Sequence, residues 1–340
     1  MNINNEFSIT REKYQEIIEK INSFERFNIL VIGDLMIDEY IWGVVERISP
    51  EAPIPIVKVL KKEKRLGGAG NVALNLKKLG INTYICGVIG NDENGSFFLE
   101  LCNKYNIKSY LSISNQRPTT IKTRVIAQKQ HVLRIDEENS NTLTPIEKED
   151  FINKLNQTLI NNNINAIIIQ DYDKGVLNKE IINYLISYSE KKGIPLVVDP
   201  KYRNFNFYNN VTIFKPNLRE FLEGNNLKDI DDINSLITIA KEFRHKNNIK
   251  VLLITLSEKG ILYVDDKKEI HLPSQIIEVA DVSGAGDTVV SLATASFLAN
   301  IKDIDMCFIA NVGASIVCEK IGVVAIEKNE LLKRISKYTK

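Results

Sequence analysis

Hydrophobic and polar positions change rhythm several times along the chain. Residues 10–24 place Tyr14, Ile17, Ile18, Ile21 and Phe24 at helical spacing behind Thr10, which predicts a capped amphipathic helix. This N-terminal extension, residues 1–26, is expected to pack on the body or on a partner chain. Phe27 to Gly33 is a short apolar run ending in glycine and followed by Asp34, the pattern of a buried central strand with a polar site at its C-terminal end. Between Glu39 and Leu60 come shorter strand-like pieces broken by Pro50, Pro53 and Pro55. Proline is excluded from central strands, so this stretch reads as a small lid inserted after the first strand. Thr119 to Ala127 and Gln130 to Asp136 alternate apolar with polar and complete it. The expected organisation is a main domain over 27–340 carrying a β lid from about 39–61 and 119–136.

From residue 144 the alternation becomes regular. Thr144-Pro145-Ile146-Glu147 supplies an N-cap, a proline at the first helical position and a capping-box glutamate, predicting a helix toward Asn161. Ala166–Gln170, Leu196–Asp199, Val211–Phe214 and Val251–Thr255 are β-branched apolar runs separated by helical stretches. Such repetition argues for an α/β fold with a mostly parallel central sheet and helices on both faces. Ligands of these sheets sit at the C-terminal strand ends, where this chain places Asp34, Asp171, Asp199, Lys215 and Thr255.

Composition narrows the partners. The 340 residues are 44% hydrophobic and 26% charged, enough for a large core, and 44 basic against 43 acidic residues give no case for a nucleic-acid or anionic-membrane partner. Cys86, Cys102, Cys307 and Cys318 form no C-x-x-C pair, and the three histidines lie apart, so a zinc site or disulfide framework is not expected. With no leader-like N-terminus and no apolar stretch of membrane-spanning length, the expected home is the cytoplasm.

Two glycine clusters carry candidate chemistry. Gly67-Gly68-Ala69-Gly70-Asn71-Val72-Ala73 contains G-x-G-x-x-A, but charged Lys61 to Arg65 precede it where a dinucleotide fold needs a buried strand. A dehydrogenase reading therefore lacks its context, leaving a plain turn or another binding role. Gly284-Ala285-Gly286-Asp287 precedes the apolar stretch Thr288 to Leu298, and small residues there let backbone N–H groups converge on an anion at a helix N-terminus. No G-K-[S/T] follows, which excludes a P-loop. Asp287 reads either as a base beside that phosphate site or as an ordinary first-turn acid favoured by the helix dipole. Asn217 and Glu220, three residues apart, share one helical face and suit Mg²⁺ and its waters, yet they equally fit an N-cap with its capping-box partner.

Together these segments resemble the ribokinase-like carbohydrate kinases. Gly67-Gly68-x-x-Asn71-x-Ala73 with Leu76, Leu79 and Gly80 is similar to that family's first signature, Asp281-x-x-Gly-Ala-Gly-Asp287 to its second, and Asn217-x-x-Glu220 to the element between them. Gly33-Asp34-x-x-x-Asp38, Arg47-Ile48-Ser49-Pro50-Glu51-Ala52-Pro53, Thr120-x-Lys122-Thr123-Arg124 and Asp171-Tyr172-x-Lys174-Gly175 resemble the branch acting on D-glycero-D-manno-heptose 7-phosphate. That branch makes the 1,7-bisphosphate on the route to ADP-heptose, a lipopolysaccharide core precursor. Many of its members continue into a nucleotidyltransferase marked by H-x-G-H; the chain ends at Lys340 without that motif and is expected to be the kinase half alone.

The resemblance implies an enzyme using ATP and Mg²⁺, with the need for a monovalent cation left open. It implies Asp287 as the base and Gly284, Ala285 and Gly286 as the oxyanion cradle. Lys201, Thr255, Ser257, Gly260, Asn311 and Ala314 are expected around the nucleotide with Asn217 and Glu220, although small residues such as Ala314 equally suit close helix packing. Asp34, Asp38, Gly67, Gly68, Asn71 and Asp171 are the candidates for sugar hydroxyls, with Asp34 and Asp171 the firmer pair and Asp38 as much an orienter of the lid. A phosphorylated sugar needs cations, for which Arg47, Lys122, Arg124, Arg134 and Lys174 are available, Lys174 first among them. Short exposed lid strands also lead to the expectation of a homodimer through the lid. Two other readings stand beside this one: a kinase for a different sugar, and a sugar- or nucleotide-binding regulator without turnover.

Overall fold

The computed structural model describes residues 8–128, 130–274 and 279–340. Helix α1, Arg11–Asn22, starts where Thr10 accepts a hydrogen bond from Lys13 N at 3.2 Å. Its apolar stripe puts Ile17 and Ile21 into the main core together with Phe24, and Lys13 pairs with Asp305 at 2.6 Å, so the extension lies on the body.

Strand β1, Asn28–Gly33, lies inside a nine-stranded sheet. On one side lie β4, Asn82–Gly90, and β5, Lys108–Ser114; on the other lie β8, Ala166–Gln170, β9, Leu196–Asp199, β10, Ile213–Phe214, and β11, Val251–Thr255. All of these pair in parallel, which lines their C-terminal ends along one edge. Strands β12, Ile261–Val264, and β13, Glu269–Leu272, extend the sheet antiparallel. The sheet carries an apolar cluster on each face, as strands without a solvent-facing side require. One cluster packs α2, Ala69–Lys78, α8, Ala285–Leu298, and α9, Asp303–Cys318; the other packs α4, Pro145–Asn161, α5, Lys179–Lys192, and α7, Ile233–Lys246. The expected capping box at Thr144 and Glu147 opens α4.

The lid is larger than its sequence pattern suggests. Strands β2, Leu35–Ile48, and β3, Pro55–Gly68, are each 14 residues long, and with β6, Thr120–Ala127, and β7, Gln130–Glu137, they form a sheet ordered β3-β2-β6-β7. It therefore begins directly after Gly33, not near residue 39. Pro50 and Pro53 fall in the connecting turn and Pro55 heads β3, so none interrupts a ladder. The charged run Lys61 to Arg65 is itself strand, polar because this sheet is not sandwiched between helices. Among the elements left unassigned by periodicity are β4, β5, β12, β13, the helix α3, Glu93–Lys104, and the C-terminal helix Lys328–Ser336. No helix among the described residues is long and apolar enough to cross a membrane.

Candidate active site

The parallel strands deliver Asp34, Asp171, Asp199 and Lys215 to one edge, and the N-terminus of α8 meets them there. Gly284 caps α8 in the left-handed region at φ 84°; a Cβ at this position would stand 3.0 Å from Asn71 Nδ2. The first amides of any helix lack carbonyl partners within it, and the residues carrying them here, Ala285 and Gly286, line an open cleft. A Cβ on Gly286 would lie 3.5 Å from Lys215 Nζ, so the space above this turn is bounded by an ammonium. That arrangement accepts an anion.

Asp287, one residue further, is buried and receives three donors: Asn71 Nδ2 at 2.7 Å, the Tyr172 hydroxyl at 3.0 Å and Gln170 Nε2 at 3.1 Å. Burial pushes its carboxyl up to about 7; Asp199 adds to the rise, while Asn71, Tyr172 and Lys215 oppose it. A helix N-terminus favours the ionised form, but loss of water outweighs that help. A carboxyl poised near neutrality is matched to proton transfer at working pH.

All twelve residues expected at the catalytic centre and nucleotide line this one cleft of about 550 Å³: Asp287, Gly284, Ala285, Gly286, Asn217, Glu220, Lys201, Thr255, Ser257, Gly260, Asn311 and Ala314. Asn217 caps α6, Leu218–Gly224, in a reciprocal capping box: its Oδ1 accepts from Glu220 N at 2.8 Å and its N–H donates to Glu220 Oε2 at 2.8 Å. The capping alternative is thus realised, and it holds both side chains rigidly at the cleft wall. Glu220 also pairs with Lys201, whose ammonium lies 5.3 Å from the centre of the Tyr172 ring. Burial pulls the Lys201 pKa down, but Asp199 and Glu220 outweigh it and the net shift is upward. Asn311 donates to the carbonyls of Leu272 and Pro273 at 3.2 Å each, tying α9 to the end of β13.

None of the expected sugar-side residues lines that cleft; they gather between it and the lid. Asn71 bridges the two regions through Asp287. Asp38 on β2 is paired with Arg124 on β6, and a Cβ on Gly67 would overlap its carboxylate. Asp34 and Asp171 also take hydrogen bonds from within the protein. Asp34 accepts backbone N–H bonds from Tyr172 (2.7 Å), Lys174 (3.1 Å) and Val176 (3.4 Å). Asp171 accepts from Asp173 N, Asn204 and Tyr208 at 2.7–2.9 Å. Burial lifts both carboxyls, and Asp171 reaches about 7 with the Asp34 charge adding to the rise. Their geometry holds the 171–176 loop, and Tyr172 with it, against Asp287.

The basic candidates are engaged as well. Arg134 pairs with Asp136 at 2.6 Å, Lys122 with both Asp136 and Glu138 at 3.1 Å, and Lys174 with Glu138 at 2.7 Å. These form one chain of three cations and two carboxylates beside Asp38. Arg47 stands apart, exposed near the far end of β2. Sequence reasoning missed Tyr172 and Gln170 as partners of the base; both sit at the end of an apolar run, and Tyr172 lies inside Asp-Tyr-x-Lys-Gly, a segment otherwise read for its charges.

A three-layer α/β body, a β lid and a buried carboxyl beside a helix-borne anion cradle define a phosphotransferase of the sugar kinase class. The profile of the pfkB family carbohydrate kinases matches residues 26–329. The chain belongs to this family and is an ATP-dependent sugar kinase by class. Among curated proteins it is 39% identical to the bifunctional protein HldE of Helicobacter hepaticus over 90% of this chain and 63% of that protein. The bifunctional protein HldE of Methylobacillus flagellatus is 38% identical over 94% of the chain and 66% of its own length. The chain thus spans somewhat under two thirds of the relatives it matches. Phosphofructokinase-2 from Escherichia coli superposes with a TM-score of 0.78 at 18% identity, over 92% of this chain and 99% of that one. Arabidopsis thaliana ribokinase complexed with ribose and ATP gives 0.67 at 17% identity, over 91% and 98%.

Proposed function

We propose that the chain transfers the γ-phosphoryl group of ATP to the anomeric hydroxyl of D-glycero-D-manno-heptose 7-phosphate, giving the 1,7-bisphosphate on the way to ADP-heptose. The observation that carries the chemistry is the position of Asp287, which meets the anion cradle on one side and Asn71 with the lid on the other. The four segments shared with the heptose 7-phosphate branch and the HldE relatives support the choice of acceptor. So does the cation chain beside Asp38, where three cations face two carboxylates and leave net positive charge for a distal phosphate.

In this reading the sugar enters between the lid and Asn71, with Asp38, Arg124 and the Gly67-Gly68 backbone as its neighbours. Ionised Asp287 takes the hydroxyl proton as that oxygen forms its bond to the γ-phosphorus. The bond from phosphorus to the bridging oxygen breaks, and ADP leaves with the electron pair. The Gly284 to Gly286 amides and Lys201 stabilise the charge on the transferring group. Magnesium, when bound with the nucleotide, supplies charge neutralisation on the phosphates. Glu220 and Asn217 fit it through waters, because no cluster of three or more His, Cys, Asp or Glu able to hold an ion alone exists among the described residues. A potassium complex of phosphofructokinase-2 makes a monovalent cation worth testing.

The same reading takes 27–340 as the kinase unit, 1–26 as its extension and the cytoplasm as its location. It pairs two chains through the lid, whose outer strands expose Leu60, Leu133 and Ile135. The acceptor is tested by measuring ADP release with ATP, Mg²⁺ and a panel of sugars and sugar phosphates. Heptose 7-phosphate is expected to give the highest kcat/KM. A clear preference for an unphosphorylated hexose would overturn the acceptor.

A further inference from the structure

One buried ion pair has no part in the mechanism above. Lys215, just after β10, is 2% exposed, its backbone N–H is held by the Val198 carbonyl at 2.8 Å, and its Nζ lies 3.1 Å from Asp199 Oδ1. The other oxygen of Asp199 accepts from Gln170 Nε2 at 3.1 Å, and that same nitrogen donates to Asp287 Oδ1 at 3.1 Å. The Gln170 amide oxygen is buried without a partner. Its orientation is therefore dictated by the two carboxylates: flipped, it would aim an oxygen at both of them.

We propose that Lys215 is a positioning residue of the transfer reaction, its ammonium acting through Asp199 and Gln170 to balance the charge around Asp287. The inference rests on Asp287 being the base. A buried ion pair is a poor device for stability alone, since an apolar pair of similar volume does as well or better. This pair sits where stability is not the only demand. A Cβ on Gly286 would touch the same ammonium, so one cation borders both the anion cradle and the carboxylate pair. The other ionisable groups facing Asp287 are the Tyr172 hydroxyl from the 171–176 loop and Lys201 across the cleft; α2 presents only the neutral Asn71. Without Lys215, the Asp199 charge would be offset only by Lys201 across the cleft and would hold the Asp287 proton to higher pH.

The test is the pH dependence of kcat/KM, whose acid limb reports the base in the free enzyme. Lys215→Met is expected to move that limb up by about one pH unit, Asp199→Asn to move it down by a similar amount, and the double variant to return it near the wild-type position. A merely structural pair would lower the rate at every pH without shifts of opposite sign. Should Lys215→Met fail to fold, Asp199→Asn against the charge-free double variant carries the same comparison. Limbs that stay in place, or move in one direction in all variants, overturn the proposal. Asp287→Asn runs alongside: if it retains most of the rate, the base assignment fails, whereas an inactive Asp287→Asn with unmoved limbs elsewhere sinks only the role of Lys215.

Discussion

The two halves of the site are built in contrasting ways. On the nucleotide side, the determinants are mostly local features of short contiguous segments: a left-handed glycine before a helix and a capped helix turn. On the sugar side, they are side chains from separate strands brought together by lid register. Asp38 on β2 stands opposite Lys122 on β6, which stands opposite Asp136 on β7, while Arg124 stands opposite Arg134. The first kind of site stays rigid because local geometry over-determines it. The second depends on how the lid sheet sits, and its cations are satisfied by Asp136 and Glu138. A phosphate arriving there competes with internal partners, whereas one arriving at the cradle meets a helix N-terminus whose first amides have no carbonyl partners within the helix.

This contrast breaks first at its most buried point. Asp287 has a folded-state pKa near 7, above the ordinary carboxylate value, so its ionisation opposes folding. That penalty is absent below about pH 4, grows as pH rises toward 7 and is constant above it. Asp287→Asn carries no charge to bury, so its stability relative to wild type should rise across that window by on the order of 4 kcal/mol. Urea denaturation at pH 4.5 and pH 8 measures the change, and a gap independent of pH would mean the carboxyl is not strained by burial.

The cradle should respond next. Gly284→Ala forces a side chain into a left-handed position and against Asn71. It is expected to cost about 100-fold in kcat, the scale of a lost oxyanion donor. Circular dichroism should show the fold retained, and a rate within fivefold of wild type would show that the turn is not needed in this shape. The lid side should respond least and in a different constant. Arg124→Met is expected to raise KM for the sugar about tenfold while leaving KM for ATP unchanged. An equal rise in both would mean the two halves are not separable.

Legibility followed the same division. The strand ends, the capping boxes at Thr144 and Asn217 and the glycine turn at Gly284 could be read because each is a local rule: apolar run, cap residue, small residue before a helix. Asp34 and Asp171 stood out for the same reason, as acids at strand ends. Their occupation by the loop's own N–H groups and by Asn204 and Tyr208 depends on contacts between distant segments, which no spacing reveals. The length of β2 and β3 was hidden by their charge, since a lid sheet outside the helical layers does not alternate cleanly. Tyr172 and Gln170 escaped notice because a hydroxyl and an amide carry no signature until something buried needs them.

The account turns on Asp287 as the base. The most direct measurement is the single-turnover rate of phosphoryl transfer by Asp287→Asn at saturating sugar and ATP, with nucleotide affinity determined on the same protein. A fall of about 10²- to 10⁴-fold with ATP affinity unchanged is the predicted result. A rate within tenfold of wild type at the same affinity would contradict it.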